Sequence, residues 1–450
     1  MKDSPRGLLY TAITRAFGAS DCGKLEGVLW AADLFGTHAD KPADEQTRES
    51  KKFNLMATLT WLDLTSRDRD KMRGVLDLFS EQGTVDEMGL GSLRDALSDA
   101  LFPGTSSIQT RLRYALFVPW LYQRLEARPV DDVRTAAHEA ETGLIEPLAT
   151  SDDTFGVIGI SARKTLSRLP SSVYWAGLNR WGIFVPGQSQ SWYHTHFAGL
   201  ARRKSEVLRA DDPGVVWTRE PTWHPRLPTA PADFPGCASF RLTKEEATFL
   251  QGRFEERCTG TLLAWLARAG SSTPAAQFWD DPGTCSAPSA VRRIVELARR
   301  FSLHVEGAPL LYNLLLAERR NGGGDDARVD AYRSELARWA AEESAEAAYE
   351  SPPLWAFLAE RGASLSDPQR RFVEAWSDRI SSSGASAVPD DPFLRNLIEQ
   401  RELKLKGRRA RLANANRLLD WSGSVGVGRM GFRWFRVRQL LTDLHGGLKS

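Results

Sequence analysis

Cysteine is scarce in this sequence, and long apolar runs are missing. The 450 residues include four cysteines, at positions 22, 237, 258 and 285, and none of them forms a C-x-x-C pair. The spacing indicates neither a disulfide framework nor a cysteine-based zinc site, so free thiols are predicted. No run of about 18 apolar residues occurs, and the amino terminus lacks the apolar segment of a secretory signal. We therefore expect a soluble protein without a membrane partner, and a cytoplasmic location by default.

Acidic residues are unevenly distributed, although the whole chain carries a formal net charge of only +2. Residues 160–204 hold seven Lys or Arg and no acid, while residues 401–440 hold eleven Lys or Arg against two acids. A shorter window, 100–125, also lacks acids. Because clustered cations attract phosphate groups, these three regions are the candidate contacts for nucleic acid, with DNA favoured.

The segment LFPGTSSIQTRLRYALFVPW, residues 101–120, follows a Pro-Gly break with hydroxyl and amide side chains, two arginines and an apolar run. The apolar spacing predicts a helix that begins near residues 105–107 and is capped by a hydroxyl group. Capping alone is one interpretation of the polar residues, and phosphate binding at the helix start is the other. The candidate phosphate ligands are Thr105, Ser106, Gln109, Arg111 and Arg113.

Residues 157–186 are predicted to form a helix, a tight turn at Pro170, a second helix and a strand over 183–185. That order is typical of a winged helix-turn-helix. In this interpretation cations hold phosphates while Ser171 faces a groove. A purely structural pair of helices is the alternative. The candidate phosphate contacts are Arg163, Lys164, Arg168 and Arg180.

The last 50 residues predict a basic helix, a glycine-rich turn and the segment RMGFRWFRVRQLL. Arginines interleaved with aromatic rings suit a nucleic-acid surface, because arginines neutralise phosphates and rings stack on bases. A solvated basic helix and an amphipathic strand are the alternatives. The candidate contacts are Arg408, Arg409, Arg411, Arg433 and Arg436.

The periodicities predict a mainly α fold with minor β structure. The predicted organisation is a loose extension over 1–55, a helical domain over 56–210, a Pro-rich connector over 211–240, a helical domain over 241–400 and a basic segment over 401–450. Met56 is an alternative start of the chain.

Catalytic motifs are weak in this sequence. His194 and His196 have the spacing of two metal ligands on one strand, and His224 and Cys237 complete the only candidate set. No dinucleotide fingerprint, P-loop or nucleophile elbow occurs. The sequence therefore predicts no cofactor and no catalysis, with a cryptic metal-dependent hydrolase as the least favoured function.

The segments LFPGTSSIQTRLRYALFVPW, RLPSSVYWAGLNRWGIF, LLYNLLLAERR and the arginine-rich tail resemble an uncharacterised bacterial domain-of-unknown-function family. The resemblance extends from Met56 to about Gly447. It implies that the gene lies near genes for helicases and phospholipase-D-like nucleases in antiphage defence neighbourhoods. It identifies no catalytic residues.

Charge placement and resemblance together predict a DNA-associated, non-catalytic accessory subunit of a bacterial antiphage defence system. Its basic surfaces are expected to hold the phosphate backbone. The alternative is a scaffold whose basic regions bind a helicase or nuclease subunit.

Overall fold

Helices make up nearly all the regular structure in the residues that the computed structural model describes. These residues are 86–207, 221–269, 275–320, 327–363 and 366–450, and for 203–207 the backbone alone. The predicted extension over 1–55 and the alternative start at Met56 lie outside these ranges. None of the helices described there is long and apolar enough to cross a membrane.

The helices before residue 210 surround an aromatic-rich core. Their bounds are α1 Gly91–Leu101, α2 Tyr114–Glu126, α3 Val133–Gly143, α4 Ile145–Ala149, α5 Pro170–Arg180 and α6 Gln190–Val207. Helix α2 packs against α3, α5 and α6. Within α2, residues 114–122 are all buried, which places this helix at the centre of the first group.

The second half is built around one 32-residue helix, α10. The bounds are α7 Lys244–Arg257, α8 Leu262–Ala269, α9 Pro282–Cys285, α10 Ser289–Arg320, α11 Ala327–Ala345, α12 Pro352–Glu360, α13 Asp367–Ser383, α14 Pro392–Lys406, α15 Ala415–Leu418 and α16 Trp434–Leu448. Helix α11 packs along α10, and α16 packs against α7 and α8. A capping box begins α7, since Thr243 Oγ1 accepts from the amide of Glu246 and the Glu246 carboxylate accepts from the amide of Thr243.

The mainly α fold class is confirmed, and β structure is nearly absent from the described residues. The predicted strand over 183–185 contributes a single antiparallel bridge, between Phe184 and Trp223. All described residues belong to one compact unit, Leu64–Ser450. Its hydrophobic core is continuous from Met88 to Leu444.

The predicted helix-turn-helix is wrong in its first helix. The segment before Pro170 forms only a single 3-10 turn, Arg163–Thr165. Leu166 and Leu169 both adopt extended backbone conformations, and Leu169 does so because a residue before proline is driven out of the helical region. The second helix is present as α5, but Ser171 and Tyr174 are buried in the core and do not face a groove.

The described part of the predicted connector, residues 221–240, packs against the helical core. Trp223, Phe234 and Phe240 are buried. Phe234 stacks on Phe117 of α2, with ring centroids 5.6 Å apart. The prolines prevent a helix here, and the aromatic rings between them are buried without one.

The predicted helix start at residues 105–107 is also wrong, because α2 begins at Tyr114. We call residues 103–113 the anchor loop. The amides of Thr110 and Arg111 donate to the Tyr174 hydroxyl at 2.9 and 3.0 Å, and the amide of Leu112 donates to Asp443 at 2.9 Å. Since tertiary contacts satisfy these amides, the backbone gains nothing by entering the helix earlier.

Candidate nucleic-acid interface

The two arginines of the anchor loop lie inside the protein. Arg111 pairs with Asp443 at 3.0 Å and with Asp153 at 2.6 Å. Arg113 pairs with Glu246 at 2.7 Å and also donates to the carbonyl of Ser239 at 2.8 Å. Carboxylates of the same chain therefore already neutralise both guanidinium groups, and neither group faces solvent.

Thr105 and Gln109 also bind internal partners through their side chains, whereas the buried hydroxyl oxygen of Ser106 has no hydrogen-bond partner among the described residues. The Thr105 hydroxyl donates to the carbonyl of Phe102, and Gln109 donates to the carbonyl of Gly104. The amide of Ser106 donates to the Gln109 side chain at 3.3 Å. These bonds fold the loop onto itself.

Two arginines of the carboxyl-terminal segment also hold this loop. Arg433 donates to the carbonyl of Thr105 at 2.8 Å and pairs with Asp99 at 2.6 Å. Arg436 donates to the carbonyl of Ser107 at 3.0 Å. The anchor loop therefore connects the start of α2 to the first turn of α16.

The candidates of residues 160–180 differ from one another in their surroundings. Arg163 is exposed and pairs with Glu146 at 2.9 Å. Lys164, Arg168 and Arg180 are exposed, and their side chains have no ion-pair partner among the described residues. Ser171 is buried, and its amide donates to the carboxylate of Glu141 at 2.7 Å.

Two candidates near the end of α14 are exposed. Arg408 and Arg409 form a 3-10 turn, and within the described ranges neither side chain has an ion-pair partner. Arg411 instead pairs with the buried Glu87 at 3.0 Å. Of this trio, Arg408 and Arg409 remain accessible to an outside ligand.

The structure brings Arg180 together with three arginines from elsewhere in the sequence. Arg180 ends α5, Arg253 and Arg257 lie one turn apart near the end of α7, and Arg226 follows the bridge at Trp223. We call these four residues the arginine cluster. Cations at the carboxyl ends of helices interact favourably with the helix dipole, which suits Arg180 and Arg257.

Buried aromatic residues hold the cluster in place. Trp181 and Phe254 are fully buried and pack edge to face, with ring centroids 5.1 Å apart, so the end of α5 is fixed against α7. Between them Gly182 adopts a φ of +67°, and a Cβ atom there would lie 3.1 Å from Nε of Arg257. Glycine therefore permits both the turn and the close approach of that side chain. The amide of His224 donates to the carbonyl of Ile183 at 2.8 Å, which ties the segment before Arg226 to the same corner.

The charges of the cluster repel one another. The pKa of Arg253 is lowered by burial and then by the positive charges of Arg226 and Arg257. Burial also lowers the pKa of His224, and Arg253 and Arg226 lower it further. The pKa of the Cys258 thiol is raised by burial to about 11, while Arg180 and Arg257 act in the opposite direction. Arg226 and Arg257 thus act on Arg253, while Arg180 and Arg257 act on Cys258, so Arg257 links Arg180 to the other two arginines.

The carboxylate of Glu256 pairs with two members of the cluster. Arg226 pairs with Oε1 of Glu256 at 3.2 Å, and Arg253 pairs with Oε2 of the same side chain. In the part of the chain that the structure describes, no other acid pairs with any of the four arginines, so three positive charges stay unneutralised. Guanidinium groups that pair with a carboxylate can also pair with a phosphate, because both anions accept charge-assisted hydrogen bonds from arginine.

Of the four arginines, only Arg180 lies in one of the three basic regions of the sequence. Arg253 and Arg257 lie in the string RFEER with two glutamates, so their charge is not apparent from the sequence. One of these, Glu255, pairs with Arg268 at 3.0 Å and does not contact the cluster. The net charge of each sequence window does not reveal the excess of positive charge at the cluster, because that excess arises only when separate segments fold together.

The histidines considered as metal ligands do not converge. His194 and His196 lie on helix α6, where the sequence had suggested a strand. His194 contacts the Tyr122 hydroxyl at 2.8 Å, and His196 contacts the carbonyl of Trp192 at 2.8 Å. In the described ranges no group of three or more His, Cys, Asp or Glu is placed to hold a metal ion.

Comparison with known proteins gives a family and no function. No curated protein and no solved structure matches the chain. The model of a family of unknown function, DUF6361, matches residues 56–447. That match covers most of the sequence and includes the anchor loop, the arginine cluster and α16 up to its last turn. The chain therefore belongs to the DUF6361 family.

Proposed function

We propose that this protein binds the phosphate backbone of DNA through the arginine cluster, as a non-catalytic accessory subunit of a bacterial antiphage defence system. The observation that carries the proposal is that, among the described residues, Glu256 is the one carboxylate paired with the cluster, through Arg226 and Arg253. The charge of Arg257 acts on Arg253, and Arg180 acts with Arg257 on Cys258. Arg180, Arg226 and Arg257 are exposed and therefore accessible to a polymer. Lys164, Arg168, Arg408 and Arg409 are further exposed cations that add long-range attraction.

Backbone binding fits the chemistry of the cluster better than base recognition does. Guanidinium groups donate two parallel hydrogen bonds to a phosphate, and release of counterions drives the association. The aromatic residues at this corner, Trp181 and Phe254, are buried and cannot stack on bases. Binding is therefore expected to depend strongly on salt and weakly on base sequence.

Replacing Arg180 and Arg257 together by alanine should weaken DNA binding. We expect an affinity loss of about tenfold or more, because each arginine provides a charge-assisted hydrogen bond worth roughly 1.5–3 kcal/mol. The slope of log affinity against log salt should fall by about two, since about one counterion is released per neutralised phosphate. Fluorescence anisotropy with labelled single- and double-stranded DNA at several salt concentrations measures both quantities.

A matched control removes two positive charges at another place. Arg292 and Arg293 are exposed in the first turns of α10, and neither side chain has an ion-pair partner in the described residues. The double alanine variant at these positions has the same net charge as the test variant. If both variants lose affinity equally, net charge explains binding and the cluster is not the site.

A second candidate function is a scaffold for a helicase or nuclease subunit. The observation that favours it is a groove lined by Leu403, Arg408, Ala413 and Asn414, with Leu403 44% exposed. Leu419, which is 69% exposed, directly follows the short helix α15. Exposed leucines beside cations suit a protein partner with an acidic, apolar surface.

The scaffold predicts an interaction that does not need nucleic acid. Purified helicase or phospholipase-D-like nuclease should be retained by this protein after nuclease treatment, and Leu403→Ser/Leu419→Ser should reduce retention about tenfold or more. Ile108→Ser, at an exposed apolar position of the anchor loop, is the control. Loss of retention on nuclease treatment would assign the interaction to bridging DNA.

A further inference from the structure

The carboxylate of Glu256 lies where an anionic ligand of the arginine cluster would lie. Its two oxygens are divided between Arg226 and Arg253, so one anion joins two guanidinium groups. The Glu256 side chain is 53% exposed and the Arg226 side chain 73% exposed, whereas Arg253 is buried. An exposed glutamate can rotate into solvent, while Arg253 is held in position by the core around it.

We infer that Glu256 occupies the binding position of a phosphate monoester, and that such a group, at the end of a nucleic-acid strand, displaces it. This inference rests on the proposed function and specifies the ligand of the same site. A monoester carries a charge near −2 at neutral pH and three acceptor oxygens, whereas a backbone diester carries −1. Four arginines gathered at one corner match the concentrated charge of the monoester better than the evenly spaced charges of a backbone.

The energetics favour exchange of the two anions. Glu256 offers two oxygens and one negative charge, which leaves Arg180 and Arg257 without a counter-charge in the described residues. A monoester can accept from Arg226 and Arg253 and still has an oxygen and a second charge for Arg257, whose charge acts on Arg253. The bond to Arg253 gains most, because this side chain is buried and its surroundings have a lower dielectric constant than water.

The inference is tested by comparing two labelled DNA strands of the same sequence, one with a 5′-phosphate and one with a 5′-hydroxyl. Fluorescence anisotropy measures the affinity of the full-length protein for each strand. We expect the phosphorylated strand to bind about tenfold more tightly, as one further charge-assisted hydrogen bond provides. Inorganic phosphate should compete with both strands, and a higher concentration should be needed to displace the phosphorylated strand because it binds more tightly. Arg226→Gln, a change at an exposed position, should abolish the preference for the phosphorylated end.

Two neighbouring glutamates provide a matched pair of variants. Glu256→Gln removes the internal competitor and should tighten binding of the phosphorylated strand by roughly three- to tenfold. Glu255→Gln makes the same change in net charge one residue away, where the carboxylate pairs with Arg268, and should leave the preference for the phosphorylated end unchanged.

The outcomes separate this inference from the proposed function. Equal binding of both strands, together with weaker binding by the Arg180 and Arg257 double variant, would overturn the monoester site and support backbone binding. Binding of neither strand, with saturable binding of inorganic phosphate that Arg226→Gln removes, would support a site for free phosphate compounds and reject DNA as the ligand. Equal effects of Glu256→Gln and Glu255→Gln would reject Glu256 as a competitor.

Discussion

Replacing Arg111 by alanine is expected to lower the free energy of unfolding by about 3–5 kcal/mol, the usual cost of breaking a buried ion pair. The side chain of Arg111 is buried and donates to Asp443, Asp153 and the carbonyl of Phe155. Its removal leaves Asp443 as a buried charge without a cation. Burial already raises the pKa of Asp443, although Arg111 and the amide of Leu112 lower it. Urea unfolding followed by tryptophan fluorescence measures the loss.

Two further variants separate the stranded charge from the loss of packing. Arg111→Ala/Asp443→Asn removes the uncompensated charge and keeps an oxygen that can accept from the amide of Leu112, so it should recover much of the lost stability. Arg163→Ala breaks the exposed pair with Glu146 and should cost less than about 1 kcal/mol. If Arg111→Ala costs no more than Arg163→Ala, the pair with Asp443 does not stabilise the fold.

Helical content was predictable because it depends on local spacing. The capping box at Thr243 and the amphipathic stretches of the second half each signal a helix within a few residues of sequence. The start of α2 was not predictable in the same way. Tyr174 and Asp443, at 60 or more residues from the anchor loop, bind the amides that would otherwise extend the helix.

The role of each basic residue could not be predicted from sequence for the same reason. The acid-free window around Arg111 and Arg113 indicated exposed cations, yet the neutralising carboxylates come from residues 246 and 443. The arginine cluster shows the converse. RFEER is nearly neutral as a string, but folding turns Glu255 away and brings Arg180 and Arg226 towards Arg253 and Arg257. Partners distant in sequence decide whether an arginine stabilises the core or remains available to a ligand.

The second large effect expected is a pH-dependent stability set by Glu141 of α3. Its side chain is fully buried, Oε2 accepts from the amide of Ser171 at 2.7 Å, and Oε1 has no hydrogen-bond partner among the described residues. Burial raises the pKa of Glu141 from 4.5 to about 7, while the bonds from Ser171 oppose the rise. The folded state therefore binds this proton more tightly than the unfolded state does.

The sign of the effect follows from that difference in proton binding. Below pH 4.5 the carboxyl is protonated in both states and contributes no difference. As the pH rises to about 7, the unfolded chain loses the proton and the folded chain keeps it, so stability falls. The total loss is about 3 kcal/mol, since each pKa unit corresponds to about 1.4 kcal/mol, and it is complete once the pH exceeds the folded pKa.

Glu141→Gln should remove this loss, because glutamine is neutral at every pH and still offers an oxygen to the amide of Ser171. The difference in unfolding free energy between variant and wild type should grow in favour of the variant by about 3 kcal/mol between about pH 4.5 and pH 8. Glu139→Gln, at an exposed position of the same helix, removes the same charge and should show a difference that does not change with pH. A constant difference for Glu141→Gln as well would mean that this carboxylate is solvated in the folded protein. A difference that grows with pH would show that part of the loss of stability at alkaline pH comes from Glu141, the buried carboxylate beside the start of α5.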